Sequence, residues 1–375
     1  MKIAILGSAH PLRGGLAAFN ERLAYELQNQ GHEVVIYSFS LQYPSFLFPG
    51  KTQFTDEPAP AGLKIRTVVN SVNPFNWLSV GSAMNREKFD LIIVKYWLPF
   101  MGPAFGTILK RAKKNGKTRV VCIVDNIIPH EKRPGDRQFT QYFIKAVDAF
   151  ITMSRDVLKD VKTFTNRPAT FTPHPIYDSY GEKVSKAEAC ARLNLDASKK
   201  YILFFGFIRE YKGLDILIQA MADERIKEAG IELLAAGEYY DKTLEASNQQ
   251  LVDQLELKNT VHIHSDFIAN SEVRYYFSAA DLVVQPYKHA TQSGITQIAY
   301  HFEKPMVVTN VGGLAEVVPD GKVGFVVPVD PTAIATAILR FYQKDLLPDL
   351  EKNILEEKRK YLWETFTTVL MDSSK

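Results

Sequence analysis

Arg209 and Lys212 stand three residues apart in ILFFGFIREYKG (202–213), just after an apolar run that stops at Gly206. Gly213 then opens the amphipathic stretch LDILIQAM. A strand, a glycine turn, two cations and a helix start converging on one point suit a diphosphate. The helix end offers free N–H groups and the positive end of its dipole, and the side chains neutralise the remaining charge. A solvated loop that happens to carry two cations is the competing explanation.

Other loops carry similar chemistry. GSAHPLRGGLAAF holds Arg13 beside Gly14 and Gly15, where backbone N–H groups can approach a phosphate or sugar closely. It is not GxGxxG, so a nicotinamide site has little support. VDNIIPHEKRPGD (124–136) places Asp125, His130 and Glu131 after an apolar strand, with His130 the candidate for acid–base work or contact with an acceptor hydroxyl. Gly237 and Glu238 end IELLAAGE, and the HSDFI segment ending at Ile268 offers main-chain groups to a nucleobase edge. TQSG, before a helical pattern, forms a second phosphate cradle from the Ser293 hydroxyl and the N–H groups of Gly294, Ile295 and Thr296. Gly312-Gly313 begins another helix, with Glu316 in its first turn.

These loops need strands to hold them. KIAIL, EVVIYSF, LIIV, VVCIV and AFITM alternate with helical patterns in the first half, and YILFF, IELLAA, VHIH, LVVQ, MVVT and GFVV repeat the alternation in the second. Continuous apolar strands between helices predict parallel sheets covered on both faces. Prolines 168, 173 and 175 mark the boundary. The expected fold is therefore α/β, with two tandem Rossmann-like parallel-sheet domains facing a central cleft. They span 1–172 and 173–348, and a C-terminal helix at about 349–375 returns to the first. Ligands of such sheets bind beyond the carboxyl ends of the strands.

Composition narrows the class. At 375 residues, with 46% hydrophobic and 23% charged, the chain reads as a soluble two-domain protein. A net charge of +3 is too small to argue for nucleic acid. Cys122 and Cys190 fit no metal-ligand spacing and read as reduced thiols of a cytoplasmic protein. MKIAILGSAH does not read as a secretory signal, and no apolar run is long enough to span a bilayer. KRAKKNGKTR (110–119) holds six Lys or Arg and no acid. A solvated helix end and attraction to anionic lipid headgroups both explain it.

RGG in the first loop, FGFIREYKG, AADLVVQPY and EKPMVVTNVGGLAEVVPDGKVGFVVP together resemble the group 1 glycosyltransferases, family 4 of the carbohydrate-active enzymes, with the two-domain GT-B architecture. The likeness runs in order along nearly the whole chain. It implies that Arg209 and Lys212 bind the pyrophosphate of a nucleotide-sugar donor, and that transfer retains the anomeric configuration without a metal ion or other cofactor. Relatives usually carry two spaced glutamates before the Lys-Pro strand, one toward the donor sugar and one toward the ribose. An ungapped count puts Ala290 and Ile298 there. A one-residue slip puts His289 and Gln297 there instead, which leaves no sugar hydroxyl facing an apolar chain. Where many relatives have a histidine at a strand end, this chain has Asp125, with His130 further along.

The resemblance thus implies a hexosyltransferase acting on a saccharide or lipid-linked acceptor, in cell-surface polysaccharide or glycolipid synthesis. Arg209 and Lys212, with His130, carry the chemistry. Gly14, Gly15, Gly206, Gly237, Glu238, Ile268, His289, Ser293, Gly294, Ile295, Thr296 and Gln297 hold the donor, and Asp125 and Trp97 face the acceptor. The missing glutamates leave open a sugar-nucleotide epimerase or hydrolase of similar fold, and a non-catalytic sugar-nucleotide binding module. Tyr43, Phe46, Tyr96 and Trp97 could stack on sugar, touch lipid or simply belong to the core. With the basic run, they suggest peripheral attachment to the inner face of the cell membrane.

Overall fold

A computed structural model describes residues 1–44, 53–55, 58–129, 133–239, 241–290, 293–343 and 346–375. Contacts divide the chain into one unit of Met1–His174 with Trp363–Lys375, and a second of Pro175–Leu362.

In the first unit the chain runs β1 (Lys2–Leu6), α1 (Gly15–Asn29), β2 (Glu33–Leu41), β3 (Lys64–Asn70), α2 (Pro74–Glu87) and β4 (Leu91–Tyr96). It continues through α3 (Gly102–Ala112), β5 (Arg119–Val124), α4 (Asp136–Ile144), β6 (Ala149–Thr152), α5 (Arg155–Phe164) and β7 (Ala169–Phe171). The seven strands are parallel, in the order β3-β2-β1-β4-β5-β6-β7. Alternation of side chains sends Ala4, Leu6, Ile92, Val94, Val120 and Cys122 toward α2, α3 and α4, where Val80, Met84, Phe105, Ile108 and Phe143 meet them in one core.

The second unit contains α6 (Lys186–Leu193), β8 (Lys200–Phe205), α7 (Leu214–Met221), α8 (Glu224–Glu228), β9 (Ile231–Ala236), α9 (Lys242–Gln254) and β10 (Val261–His264). It proceeds through α10 (Asn270–Ala279), β11 (Leu282–Gln285), α11 (Gly294–His301), β12 (Met306–Thr309), α12 (Leu314–Val317), β13 (Gly324–Val327), α13 (Pro331–Gln343) and α14 (Leu347–Lys358). Its six strands are parallel, in the order β10-β9-β8-β11-β12-β13. Strand order reverses between β1 and β4 in one sheet and between β8 and β11 in the other, the places where open α/β sheets leave a crevice.

Three details depart from the sequence reading. β3 is an additional edge strand whose polar sequence, KIRTVVN, hides the strand pattern. β7 forms a three-residue edge between the prolines 168 and 173 that mark the boundary. The expected single C-terminal helix is broken at Arg359–Leu362. Leu350 of α14 enters the second core, the Tyr361 ring lies tilted against Tyr300 with centroids at 4.7 Å, and the Ile176 amide donates to the Tyr361 carbonyl at 2.9 Å. After the break, α15 (Trp363–Ser373) packs Trp363 and Phe366 on Phe19 of the first unit, with centroids at 5.0 and 5.7 Å. The two halves of the segment therefore serve different cores. Among the described residues, no helix is long and apolar enough to cross a membrane.

Candidate functional site

The carboxyl ends of β8, β9 and β11 bring the second unit's candidate residues together. Gly206 leaves β8 at φ 94°, and a Cβ there would lie 3.1 Å from Ile295 Cδ1 and 3.2 Å from Lys212 Nζ. The missing side chain therefore makes room for the ammonium and for the start of α11. Gly237 leaves β9 at φ 146°, and its Cβ would meet the Gly206 carbonyl oxygen at 2.2 Å, so this position too requires glycine. The Gly206 amide donates to the Ala236 carbonyl at 2.9 Å and locks the two strand ends together.

Lys212 lies in a short 3₁₀ turn (Glu210–Lys212) and is only 9% exposed. Burial, with a smaller push from Arg209, lowers its pKa from the ordinary 10.5 to about 8. No carboxylate among the described residues offsets this. The ammonium sits 5.7 Å from the Tyr287 ring centroid, a weak compensation for lost water. A buried cation without an anion marks a place where a ligand supplies the anion. Arg209 is exposed on the same turn and borders a groove of about 600 Å³ shared with Asp215, Asn248 and Lys288.

The second cradle forms at α11. Ser293 caps the helix by accepting the Ile295 amide at 3.2 Å, and the Thr296 hydroxyl donates back to the Ser293 carbonyl at 2.5 Å. The Tyr287 hydroxyl and Ser293 Oγ lie 3.2 Å apart, which ties this cap to the residues around Lys212. The sequence reading aimed the cations at the start of α7. The structure puts Lys212 Nζ and Ile295 of α11 against the same face of Gly206, while Gly213, at the start of α7, packs against the Pro286 carbonyl, where a Cβ would approach to 2.1 Å. α12 is a single turn, too short for the dipole expected after Gly313.

Gln297 is 3% exposed on α11, and its Oε1 has no hydrogen-bond partner. Gln285, 1% exposed at the end of β11, has the same orphan oxygen. Sequence reasoning passed over Gln285, although a polar residue ending the apolar run LVVQ was a signal. His289 is exposed, and Ala290 and Ile298 are partly and fully buried. Glu238 is exposed, while its carbonyl accepts the Ile208 amide at 2.9 Å. Ile268 is half-buried, four residues past β10.

In the first unit Gly14, at φ 103°, caps α1, and both it and Gly15 are exposed. Asp125, assigned by sequence to the acceptor side, is an ion-paired carboxylate at the end of β5. Its Oδ1 pairs at 3.1 Å with Lys95 Nζ, which is 3% exposed and stands 3.5 Å from the Phe19 ring centroid. Burial lowers the Lys95 pKa and Asp125 opposes that fall. Lys95 was missed, although a lysine closing LIIVK is anomalous in a buried strand. Trp97 serves the core: its indole N–H donates to the Tyr43 hydroxyl at 2.6 Å, and its ring lies edge-on to Phe39 and Phe105. Tyr96 is fully buried and stacks on Phe143 at 4.3 Å. His130 and Phe46 lie outside the described residues. Among those described, no three His, Cys, Asp or Glu side chains come together as a metal site.

Two parallel-sheet units, one with a buried lysine at its strand ends that has no carboxylate partner among the described residues, define a Rossmann-like α/β protein. Family models agree: residues 13–178 match Glycosyltransferase Family 4 and residues 199–344 match Glycosyl transferases group 1. The chain belongs to the group 1 glycosyltransferases of family 4, with the GT-B fold, and spans less than two thirds of the length of the curated relatives it matches. It is 26% identical over 260 residues to a D-inositol 3-phosphate glycosyltransferase of Corynebacterium urealyticum, covering 65% of this chain and 60% of that one. A glycosyltransferase from Rickettsia africae has the same fold at TM-score 0.74 and 14% identity, covering 99% of this chain and 97% of that one. HepE of Anabaena, solved with UDP, matches at TM-score 0.71 and 16% identity, covering 100% and 99%.

Proposed function

We propose that this protein is a glycosyltransferase that retains anomeric configuration and moves a hexose from a nucleotide-diphosphate sugar to a saccharide or lipid-linked acceptor. The observation that carries the reading is Lys212, a buried ammonium with no carboxylate beside it among the described residues, next to Gly206 and the start of α11. As the sugar–oxygen bond breaks, negative charge builds on the departing diphosphate. Arg209, Lys212 and the amides of Gly294 and Thr296 receive it, the Ile295 amide being held by the Ser293 cap, so little reorganisation is needed at the transition state. In this reading the cations take the charge-neutralising role of a metal, and no cofactor is required. Gln297 and Gln285 offer orphan carbonyl oxygens to donor hydroxyls. His289, Gly237, Glu238 and Ile268 complete the donor contacts of this unit. In the first unit Gly14 and Gly15 are assigned to the donor and the Asp125 carboxylate to an acceptor hydroxyl. The reaction belongs to cell-surface polysaccharide or glycolipid synthesis, with the protein held peripherally on the inner face of the membrane.

Incubation with UDP-, GDP- and ADP-sugars, with and without EDTA, tests this reading. Transfer or slow donor hydrolysis with retained configuration, unaffected by chelation, is the expected result. Arg209→Ala should reduce turnover by at least about 100-fold, the cost of losing one such charge-stabilising group. Isomerised sugar, binding without turnover, or full activity in the folded Arg209→Ala variant would each overturn it.

A further inference from the structure

α2, α3 and α4 cover one face of the first sheet, and their outward surface has two unusual properties. It carries exposed rings: Phe75 is 83% exposed, Phe139 42% and Tyr142 38%. It also carries cations at the carboxyl-terminal ends of all three helices, with Arg86, Lys114 and Lys145 all exposed. The only carboxylates in these helices are engaged elsewhere: Glu87 pairs with Arg66 and Lys2, and Asp136 accepts the Arg133 amide at 2.7 Å.

Packing makes this a continuous surface. A Cβ on Gly81 of α2 would meet Arg111 Cβ of α3 at 2.7 Å, and one on Gly106 of α3 would meet Tyr142 Cδ1 of α4 at 2.6 Å. Glycine thus draws the three helices close together. Tyr142 lies across α3, its hydroxyl 2.9 Å from Thr107 Oγ1 and its ring centroid 3.3 Å from Lys110 Nζ. Part of the basic run is consumed locally, since Lys113 pairs with Asp148 at 2.6 Å and Arg111 donates to Ser82 at 2.9 Å. Arg86, Lys114 and Lys145 keep their charge for the outside.

We infer that the α2–α3–α4 face is the surface by which this protein lies on a bilayer of anionic lipid. The inference deepens the membrane association proposed above by naming its residues. Cations reach headgroup phosphates while the rings sit at the level of the interface, where amphipathic aromatic groups are favoured. A second copy of the chain is a poor occupant, because a two-fold dimer through this face would set its cations against one another.

Co-sedimentation with phosphatidylcholine vesicles containing about a third phosphatidylglycerol is the test, compared with phosphatidylcholine alone. The wild type should bind only the anionic vesicles, and binding should weaken strongly between about 0.05 M and about 0.5 M salt. Each exposed cation contributes roughly a fivefold factor, so Arg86→Gln/Lys114→Gln/Lys145→Gln should bind about 100-fold more weakly. A charge-matched control elsewhere, Lys64→Gln/Lys242→Gln/Lys352→Gln, should bind like the wild type. Phe75→Ser should weaken binding while leaving its salt dependence in place. No binding by the wild type, or equal loss in both triple variants, overturns the inference. So does a dimer that Phe75→Ser disrupts without any vesicle binding. Donor turnover in vesicle-free buffer, which depends on Arg209 and Lys212, reports separately on the transferase reading and should be unchanged in both triple variants.

Discussion

Replacing Lys212 with methionine should stabilise the ligand-free protein and abolish its use of the donor. Burial lowers the ammonium from 10.5 to about 8. At about 1.4 kcal/mol per pH unit, the folded ligand-free chain carries a cost of about 3 kcal/mol at pH 7. The sign follows from linkage. Above about pH 10.5 the amine is neutral in both folded and unfolded chains, so the cost is absent. As pH falls from there to about 8, the unfolded chain takes up the proton first and stability is lost. Below about pH 8 both forms are protonated and the cost stays constant. Methionine keeps the length and flexibility of the stem without the charge. Denaturant unfolding at pH 7 should therefore show the variant more stable by up to about 3 kcal/mol, or about 2–4 °C per kcal/mol in thermal melts. The wild type should gain stability between pH 8 and 10, and the variant should lack that gain. Adding a nucleoside diphosphate should stabilise the wild type and leave the variant unmoved. A variant that is less stable at pH 7, or that still gains from the diphosphate, would refute the reasoning that the ammonium awaits an anion.

Three further substitutions probe the framework. Gly206→Ala should cost about 1–3 kcal/mol through its positive φ and should displace Lys212 or Ile295, raising the donor KM more than it lowers Tm; unchanged donor affinity would remove Gly206 from the site. Gln297→Leu removes a buried oxygen without a partner, so the ligand-free protein should gain roughly 1 kcal/mol while donor binding weakens about tenfold; stronger binding on titration calorimetry would contradict the assignment. Asp125→Ala should destabilise the first unit by about 3 kcal/mol because it strands the Lys95 ammonium in the interior, and Lys95→Met in the same chain should restore most of that loss. An additive double variant in denaturant melts would show that the pair is not coupled.

Much of the fold was legible in the sequence because its central strands are buried on both faces and therefore apolar, as in LIIV and VVCIV. β3 and β7 escaped detection because edge strands need neither feature. The terminal helix was read as one element because its amphipathic pattern runs on through the break, and periodicity cannot say which core a face will join.

The same division runs through the site. Sequence alone determined the chemical types available: two cations after a glycine-ended strand, a serine cap followed by a glycine, and a lysine and an aspartate at the ends of apolar strands. Residue identity and spacing along one chain carry that information. Only the tertiary structure decided how those groups are used. It set Lys212 beside Ile295 of α11, buried it without a carboxylate partner among the described residues, left Gln285 and Gln297 with orphan oxygens, and tied Asp125 to Lys95. Burial and partnership depend on strands distant in sequence, and those contacts set the electrostatic cost of a charge. A lysine in a short loop has an ordinary ammonium until neighbouring strands remove its water.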